Sequence, residues 1–379
     1  MCFTCCVNPQ VIQDVHTFLE SLFEQAVSLG ASDIHIDPQE HTVHIRMRVS
    51  GMLHEHKTIS KNRFDICIGK IKVLSSLRSD VHDRTQDGRF YFTSKSGERI
   101  DMRVSIAPTF FGENCVLRLL HSHNRKRKSF FELGMTEVQT YHLKQALSKS
   151  SGLVIVAGPT GSGKTSTLYS VLQYLSTGID DDVANLEEHM VTDKNIVTIE
   201  DPVESVVSKT RQIQVSPDTG FGFKEALKGI LRQDPDVVMI GEIRDKDTAL
   251  AAIQTALTGH LVLTTIHAPN ASSIIPRLID MGIEPYLISS SVSLILSQRL
   301  VRVFDYNLGL YGDRVGVFEI VPVDVSMREL IHQRKTPYEI EKHISDSGHV
   351  LLRDACRDIY SRHVTTEEEI NRINLDIFS

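Results

Sequence analysis

Residues Gly158-Pro-Thr-Gly-Ser-Gly-Lys-Thr165 decide the fold, because they form the pattern GxxxxGK[ST] between a predicted strand (153–157) and a predicted helix (166–175). Glycines let backbone N–H groups turn inward around phosphate oxygens, and the N-terminus of the following helix adds partial positive charge. In this pattern Lys164 reaches β- and γ-phosphate oxygens, while Thr165 can bind Mg²⁺. The predicted nucleotide-binding residues are Gly158, Pro159, Thr160, Gly161, Ser162, Gly163, Lys164, Thr165 and Ser166.

Three further apolar runs, at residues 196–199, 237–240 and 261–265, alternate with helical patterns. Runs that are apolar on both faces are typical of buried strands in a parallel α/β sheet. Such sheets bind ligands at the carboxyl ends of their strands. The polar groups that follow these runs are therefore expected to meet in one crevice beside the phosphate loop.

Two carboxylates stand at these strand ends. Glu200 ends the second run, and Glu242 follows the third, where many nucleotide hydrolases have an aspartate. Transfer of a phosphoryl group to water needs carboxylates that hold the metal ion and orient the water. Either residue could instead pair with an arginine at the end of its strand. We predict both as catalytic residues, with Glu242 and Thr165 as the Mg²⁺ ligands.

Four more polar residues lie near the strand ends. Asp201 and Asp245 follow the second and third runs, where acidic residues often cap helices or face solvent. His260 and His267 flank the fourth run. A lone histidine is often a structural hydrogen-bond donor, but His267 is expected near the γ-phosphate, which it could sense by a hydrogen bond.

The composition indicates a globular protein of two or three domains. The chain has 379 residues, of which 41% are apolar. It contains no apolar run long enough for a membrane span and does not start like a signal peptide, so a cytoplasmic location is expected. Three of its six cysteines, Cys2, Cys5 and Cys6, lie at the N-terminus; two of them have the spacing of half a zinc site, but no second pair follows.

The segment before the phosphate loop predicts a smaller α+β domain, residues 1–120. Helical spacing covers 11–29 and 64–77; alternating patterns predict strands at 33–36, 42–48, 89–93, 98–104 and 115–120. Asp87-Gly88 and Ser96-Gly97 are read as turns. Residues 121–130 are basic and form a predicted linker, either solvated or in contact with an anionic membrane or nucleic acid. Residues 131–379 form the larger domain.

Charge differs between the two parts of the chain. Residues 1–130 have 18 Lys and Arg against 14 Asp and Glu, whereas the remainder has 23 against 34. The net charge of −7 therefore conceals a basic front part and an acidic larger part. This asymmetry disfavours a nucleic-acid groove along the larger part and permits the two parts to attract each other, within one chain or between copies.

The order of these motifs resembles the ATPases of type II secretion and type IV pilus assembly. The resemblance covers most of the chain. It rests on Ala31-Ser-Asp-Ile-His-Ile36, the phosphate loop, Ile196-Val-Thr-Ile-Glu-Asp-Pro-Val-Glu204, Leu231-Arg-Gln-Asp-Pro-Asp-Val-Val-Met-Ile-Gly-Glu-Ile-Arg-Asp245, Thr258-Gly-His-Leu-Val-Leu-Thr-Thr-Ile-His267 and Ser297-Gln-Arg-Leu-Val-Arg302.

The resemblance implies a homo-hexamer of subunits with a PAS-like N-terminal domain and a RecA-like P-loop domain whose C-terminal part is helical. It implies hydrolysis of ATP with Mg²⁺, coupled to an inner-membrane platform protein, with peripheral membrane association and without nucleic acid. Arg103 and Arg118 match arginines that reach the nucleotide, and Arg232 matches a further arginine near the site. Their fixed charge suits phosphate, although strand-surface ion pairs are the alternative for Arg103 and Arg118.

The chain also departs from the family pattern. Paired zinc-binding cysteines are expected to be absent after Gln298-Arg-Leu, so no zinc is expected, and the domain that tethers longer relatives to the membrane is expected to be missing. An acidic insertion surrounds Asp180-Asp-Asp182. A pilus-retraction or conjugation ATPase remains an alternative, as does a RecA-like motor that moves nucleic acid.

Overall fold

The computed structural model describes residues 9–120, 128–178, 194–216 and 220–378. The chain divides into two compact units, Met1–Arg125 and Lys126–Ser379. The N-terminal cysteines, residues 121–127 of the predicted linker and the acidic insertion lie outside the described residues. Across the described ranges, no helix has both the length and the apolar character that crossing a bilayer would require.

The first unit is a six-stranded antiparallel sheet with two helices, α1 (Pro9–Ser28) and α2 (Lys61–Leu74). The strand order is β3-β2-β1-β6-β5-β4. The strands are β1 (Asp33–Pro38), β2 (Thr42–Val49), β3 (Met52–Ser60), β4 (Gln86–Thr93), β5 (Arg99–Thr109) and β6 (Gly112–Leu120). Alternation along the strands buries one face against the helices, with Ile34, Ile45 and Leu117 among the residues of this core.

Two features of this unit differ from the sequence-based prediction. The edge strand β3 was not predicted, because most of its side chains are polar and exposed. Asp87 and Gly88 do not form a turn but lie inside β4. A Cβ at Gly88 would lie 2.8 Å from the carbonyl oxygen of Ser75, so this glycine permits close packing of the segment that follows α2.

The second unit is built on a seven-stranded sheet with the order β13-β12-β7-β11-β10-β8-β9. All neighbouring pairs are parallel except β12 and β13. The strands are β7 (Gly152–Ala157), β8 (Ile196–Glu200), β9 (Thr210–Gln214), β10 (Val237–Ile243), β11 (Leu261–Ile266), β12 (Val292–Asp305) and β13 (Leu310–Pro322). The four predicted apolar runs are confirmed as β7, β8, β10 and β11, at the centre of the sheet.

Helices pack against this sheet, and four of them follow its last strand. They are α3 (Glu137–Leu147), α4 (Lys164–Thr177), α5 (Phe223–Ile230), α6 (Lys246–Leu257), α7 (Ile274–Asp280), α8 (Pro285–Ser291), α9 (Val325–His332), α10 (Pro337–Asp346), α11 (Leu352–Ser361) and α12 (Glu367–Phe378). Two apolar clusters form the core, with Ile155 in one and Val154 in the other, because successive residues of a buried strand face opposite sides of the sheet.

The long hairpin of β12 and β13 joins the central sheet to the C-terminal helices. Residues 306–309 connect the two strands. In β12, Arg302 donates from Nη2 to Oε2 of Glu369 in α12 at 2.6 Å, and Glu369 also accepts from Arg372. These two guanidinium groups hold the pKa of Glu369 at about 2 despite its burial. A charge-paired contact therefore fixes α12 to the strand.

Candidate nucleotide-binding site

The phosphate loop joins the carboxyl end of β7 to the N-terminus of α4. Three of its glycines, Gly158, Gly161 and Gly163, have φ values of 154°, 80° and 91°, in the left-handed region that favours glycine. A Cβ at Gly158 would lie 2.4 Å from Oγ of Ser162. The loop thus has the sharply turned backbone that presents N–H groups to an anion, and it caps α4 with Gly163.

Lys164 is held inside its own loop. Its Nζ donates to the carbonyl oxygens of Gly158 at 2.8 Å and Pro159 at 3.0 Å. Burial lowers its pKa, the nearby charge of Arg299 lowers it further, and Glu242 opposes both effects. The ammonium group therefore points into the turn that the sequence pattern assigns to phosphate, where an anion would improve its electrostatic environment.

A hydrogen bond from α4 to the neighbouring strand β12 helps to hold the phosphate loop and its helix in place. Oγ1 of Thr167, in α4, donates to Oε1 of Gln298 at 2.7 Å, and both residues are buried. The carbonyl oxygen of Gln298 accepts from Arg299 at 3.1 Å, and Arg299 also donates to the carbonyl oxygen of Pro269 at 2.7 Å. The sequence does not predict this role for Gln298, although Gln298 lies in the run 297–302 that resembles the family motif.

Glu242 and His267 lie next to each other at the carboxyl edge of the sheet. Oε1 of Glu242 is 2.7 Å from Nε2 of His267, and Oε2 is 3.1 Å from Nε of Arg244. Arg244 also lies 3.6 Å from Asp201. Ile266 is paired with Ala157, so His267 stands level with the start of the phosphate loop. The structure thus brings Glu242, His267 and Asp201 to the predicted crevice.

Glu200 is also at this edge, but its carboxylate is enclosed by the protein. It is 3% exposed. One oxygen accepts a short hydrogen bond from the hydroxyl of Tyr169 in α4, and the other accepts from Thr198 at 2.5 Å and Gln212 at 3.1 Å. The sequence predicts Glu200 as a catalytic carboxylate in the crevice beside the phosphate loop. In the structure, each of its oxygens instead accepts a hydrogen bond from another side chain of the protein. Sequence position locates the end of β8 but not the tyrosine that reaches it from another element.

Three candidate residues lie elsewhere or have other partners. Asp245 caps α6, because its side chain accepts from the backbone N–H of Thr248 at 2.8 Å, as its alternative interpretation predicts. His260 precedes β11 and contacts the carbonyl oxygen of Thr255. Arg232 is exposed and precedes β10. His260 thus lies at the opposite edge of the sheet, roughly 20 Å from the phosphate loop at 3.3 Å per strand residue. Arg232 likewise lies before its strand rather than at the carboxyl end, where the phosphate loop begins.

Arg103 and Arg118 belong to the first unit, where they are paired across β5 and β6. Nε of Arg118 donates to Asp33 at 2.9 Å, which is the ion pair that its alternative interpretation predicts. The Arg118 side chain is nevertheless 62% exposed, so its guanidinium group retains donors toward solvent. Arg103 is half-buried in the same row of the sheet.

The residues of the second unit fit a nucleotide with Mg²⁺. The hydroxyl-bearing Thr165 is exposed at the first turn of α4, and Glu242 is the carboxylate that acts on the charge of Lys164. Over the residues that the structure describes, no group of three or more His, Cys, Asp or Glu side chains is arranged to hold a metal ion by itself. One hydroxyl and one carboxylate suit Mg²⁺, which is usually bound by one or two protein groups together with substrate phosphates.

The fold and the phosphate loop define the class of protein as a RecA-like P-loop ATPase with an N-terminal domain. The sequence profile of the family described as type II/IV secretion system protein matches residues 10–372. The chain belongs to this family, as its motifs predicted.

Named relatives agree with this membership. The chain is 36% identical over 390 residues to the type II secretion system ATPase E of Vibrio cholerae, covering 94% of this chain and 74% of the relative. It is 34% identical over 404 residues to the type IV pilus assembly ATPase TfpB of Acinetobacter baylyi, covering 97% of this chain but 66% of the relative, slightly less than two thirds of that protein.

The fold also matches a solved structure. The ATPase DotB of Legionella pneumophila superposes with a TM-score of 0.74 at 22% identity, over 95% of both chains. This likeness extends across both units and concerns the fold alone. The predicted fold class, the ATPase class and the family are therefore confirmed.

Proposed function

We propose that this chain is the motor ATPase of a type IV pilus assembly or type II-like secretion system. The observation that carries the proposal is the Glu242–His267 pair beside the phosphate loop, in a chain of the secretion family. A carboxylate next to a bound γ-phosphate can orient water and accept its proton. The alternative of a nucleotide-binding ring that assembles without appreciable turnover would not require such a carboxylate.

In the proposed reaction the loop residues 158–166 bind the phosphates through their backbone N–H groups. Lys164 exchanges its two carbonyl acceptors for β- and γ-phosphate oxygens. Thr165 and Glu242 would hold Mg²⁺, which would supply positive charge to neutralise the phosphates. Water adds to the γ-phosphorus, the bond to the β–γ bridging oxygen breaks, and Glu242 takes the proton, so ADP and inorganic phosphate leave.

The remaining candidates act around this centre. His267 holds the Glu242 carboxylate in one orientation. It also senses the presence of the γ-phosphate by donating a hydrogen bond to it. Glu200 positions the neighbouring loop, since both of its oxygens are already bonded. Arg103, Arg118 and Arg232 would supply fixed positive charge to the phosphates in an assembled ring. Because Arg232 precedes β10, we assign it to the site of an adjacent copy.

The assembly proposed is a homo-hexamer on the cytoplasmic face of the inner membrane, held there through a platform protein. Rotation of the two units relative to each other during ATP turnover would drive that partner. This part of the proposal rests on family membership and on the names of the relatives.

The proposal is tested with the purified full chain. ATP turnover is measured alone, with the cytoplasmic part of the platform protein, with anionic vesicles and with single-stranded DNA, while native mass spectrometry counts subunits. We expect hexamers whose turnover rises with the platform protein and is unchanged by DNA. Lys164→Ala should lose nucleotide binding, whereas Lys149→Ala, at an exposed lysine before β7, should not. Strong stimulation by DNA would instead support a motor that moves nucleic acid.

Deletion in the native host separates the remaining alternatives. Loss of surface pili or of secretion supports an assembly motor, whereas an excess of pili identifies a retraction motor. The subunit count alone does not distinguish these, because both kinds of motor would use the same site.

A further inference from the structure

A polar network centred on the buried residues Tyr169 and Glu200 connects the helix of the phosphate loop to the acidic loop that follows β8. Tyr169 lies one helical turn beyond Thr165 in α4 and is buried. Its hydroxyl donates to Oε2 of Glu200 and accepts from the backbone N–H groups of Glu204 at 3.0 Å and Ser205 at 3.4 Å. One side chain of the nucleotide helix thus bonds both the end of β8 and the loop beyond it.

The same loop is held from its other side by β9. Nε2 of Gln212 donates to Oε1 of Glu200 at 3.1 Å and to the carbonyl oxygen of Ser205 at 2.8 Å. Its Oε1 accepts from the backbone N–H of Val207 at 2.7 Å. Gln212 therefore uses both ends of its amide, and the loop 201–207 is bonded to α4 and β9 at once.

The loop 201–207 is also connected to the candidate catalytic residue Glu242 through Arg244. Asp201, its first residue, lies 3.6 Å from Arg244, and Arg244 lies 3.1 Å from Glu242. The network thus runs from α4 through Tyr169 to the loop and from the loop through Arg244 to Glu242. Burial and the adjacent Glu200 carboxylate raise the pKa of Tyr169, so its hydroxyl keeps the proton that it donates.

We propose that Tyr169 is a positioning residue that couples nucleotide-dependent movement of α4 to the acidic loop 201–207, with Glu200 and Gln212 as its partners. A hydroxyl that donates to one group and accepts from two others fixes all three in relation to the helix. Because Tyr169 and Glu200 are both buried, removal of the hydroxyl takes the donor to Oε2 of Glu200 out of a site that water does not readily reach, which makes this bond costly to lose. The proposal deepens the proposed function and rests on its ATP site.

The decisive variant is Tyr169→Phe, which keeps the ring and removes the hydroxyl. Tyr174→Phe is the matched control, since it makes the same chemical change in the same helix, at a ring that packs against Phe130. For Tyr169→Phe we expect kcat to fall at least fivefold while the Kd for a fluorescent ATP analogue stays within twofold. Tyr174→Phe should leave both values within twofold.

Hydrogen exchange supplies a readout that does not depend on turnover. In the wild type, a non-hydrolysed ATP analogue should change exchange of the amides at Glu204 and Ser205 at least threefold, and this response should disappear in Tyr169→Phe. Gln212→Met cuts the network from β9 and should also lower kcat with little change in Kd, which covers a failure of Tyr169→Phe to fold.

Several results would overturn the coupling role. One is a kcat within twofold of wild type in Tyr169→Phe. Another is a loss of ATP affinity in this variant that equals the loss of kcat. A third is hydrogen exchange at Glu204 and Ser205 of the wild type that does not change when the ATP analogue binds. Failure of the platform protein to stimulate turnover would count against the proposed motor instead, because these measurements do not involve that partner.

Discussion

Nε2 of His267 lies 2.7 Å from Oε1 of Glu242. Glu242 belongs to β10 and His267 directly follows the neighbouring parallel strand β11, and the pairing of Ile266 with Ile243 brings them level. Arg244 contacts the other carboxylate oxygen, so the carboxylate is held at both ends. A group fixed in this way has little rotational freedom to lose when it orients a water molecule.

Glu242→Gln tests the carboxylate directly. The amide keeps the size and one acceptor of the side chain but cannot take a proton, so kcat should fall by about 10²–10⁴ with ATP still bound. Rapid-quench turnover and the Kd of a fluorescent ATP analogue measure the two effects. Glu225→Gln, in exposed α5 sequence, serves as the control and should keep wild-type turnover. Wild-type kcat in Glu242→Gln would remove this residue from catalysis.

The two histidines that flank β11 form a natural matched pair. His267→Ala removes the partner of Glu242 and should lower kcat by about tenfold or more, because the carboxylate then loses one of its fixed contacts. His260→Ala acts at the opposite edge of the sheet and should leave kcat within twofold. Steady-state kinetics give the kcat of both variants for comparison with the wild type. Equal effects of the two substitutions would mean that His267 has no special part in turnover.

Gly158→Ala tests the backbone of the phosphate loop. Its Cβ would lie 2.4 Å from Oγ of Ser162 and 2.7 Å from the carbonyl oxygen of Gln298, at a φ of 154°. Such a backbone conformation costs about 1–3 kcal/mol for a residue with a side chain, so the loop should shift and ATP affinity should fall at least tenfold. Equilibrium binding and calorimetric unfolding measure this.

Gly229→Ala is the control for that substitution. Gly229 lies in α5 with open space at the Cβ position, so alanine should stabilise the protein by about 0.5–1 kcal/mol and leave ATP affinity unchanged. If Gly158→Ala bound ATP as tightly as Gly229→Ala, the close approach at Gly158 would be irrelevant to the site.

Glu319 provides a test of pH dependence. This buried residue of β13 accepts from the backbone N–H of Ala271 at 3.1 Å, and burial raises its pKa from 4.5 to about 7. The folded state therefore holds a proton that the unfolded state releases above pH 4.5. The free energy of unfolding is therefore not reduced by Glu319 below about pH 4.5. As the pH rises from about 4.5 to about 7, the raised pKa of Glu319 lowers the free energy of unfolding by roughly 3 kcal/mol in total.

Glu319→Gln keeps an acceptor for Ala271 and cannot ionise. We expect the variant to gain stability relative to wild type as the pH rises from 5 to 8, as measured by urea unfolding. Exposed Glu329→Gln, on α9, should show no such trend. Parallel pH curves for wild type and Glu319→Gln would contradict the shift.

The sequence predicted the centre of the fold better than its edges. The strands β7, β8, β10 and β11 are apolar on both faces because each has a neighbour on either side and helices above and below. The edge strands escape this pattern. Gln212 lies in β9, which has a single neighbour, so its polar residues read as a loop although its amide bonds Glu200.

The sequence alone predicts those parts of the candidate site whose residues lie together in one continuous segment of the chain. Gly158 and Lys164 belong to a continuous loop, and Glu242 follows an apolar strand. Partners from different elements could not be predicted in the same way. Tyr169 reads as one more residue of an amphipathic helix, and nothing local to Glu200 indicates that its carboxylate is enclosed; both facts depend on how α4 packs against β8.

Strand β12 passes beneath the phosphate loop at Gln298 and contacts α12 at Arg302. The two residues are four positions apart along the strand, about 13 Å at 3.3 Å per residue. Both residues are paired with β13 along this stretch, so the strand between them behaves as a stiff rod. The paired strands thus give an unbroken structural connection from the support of the phosphate loop to the contact with the C-terminal helix α12.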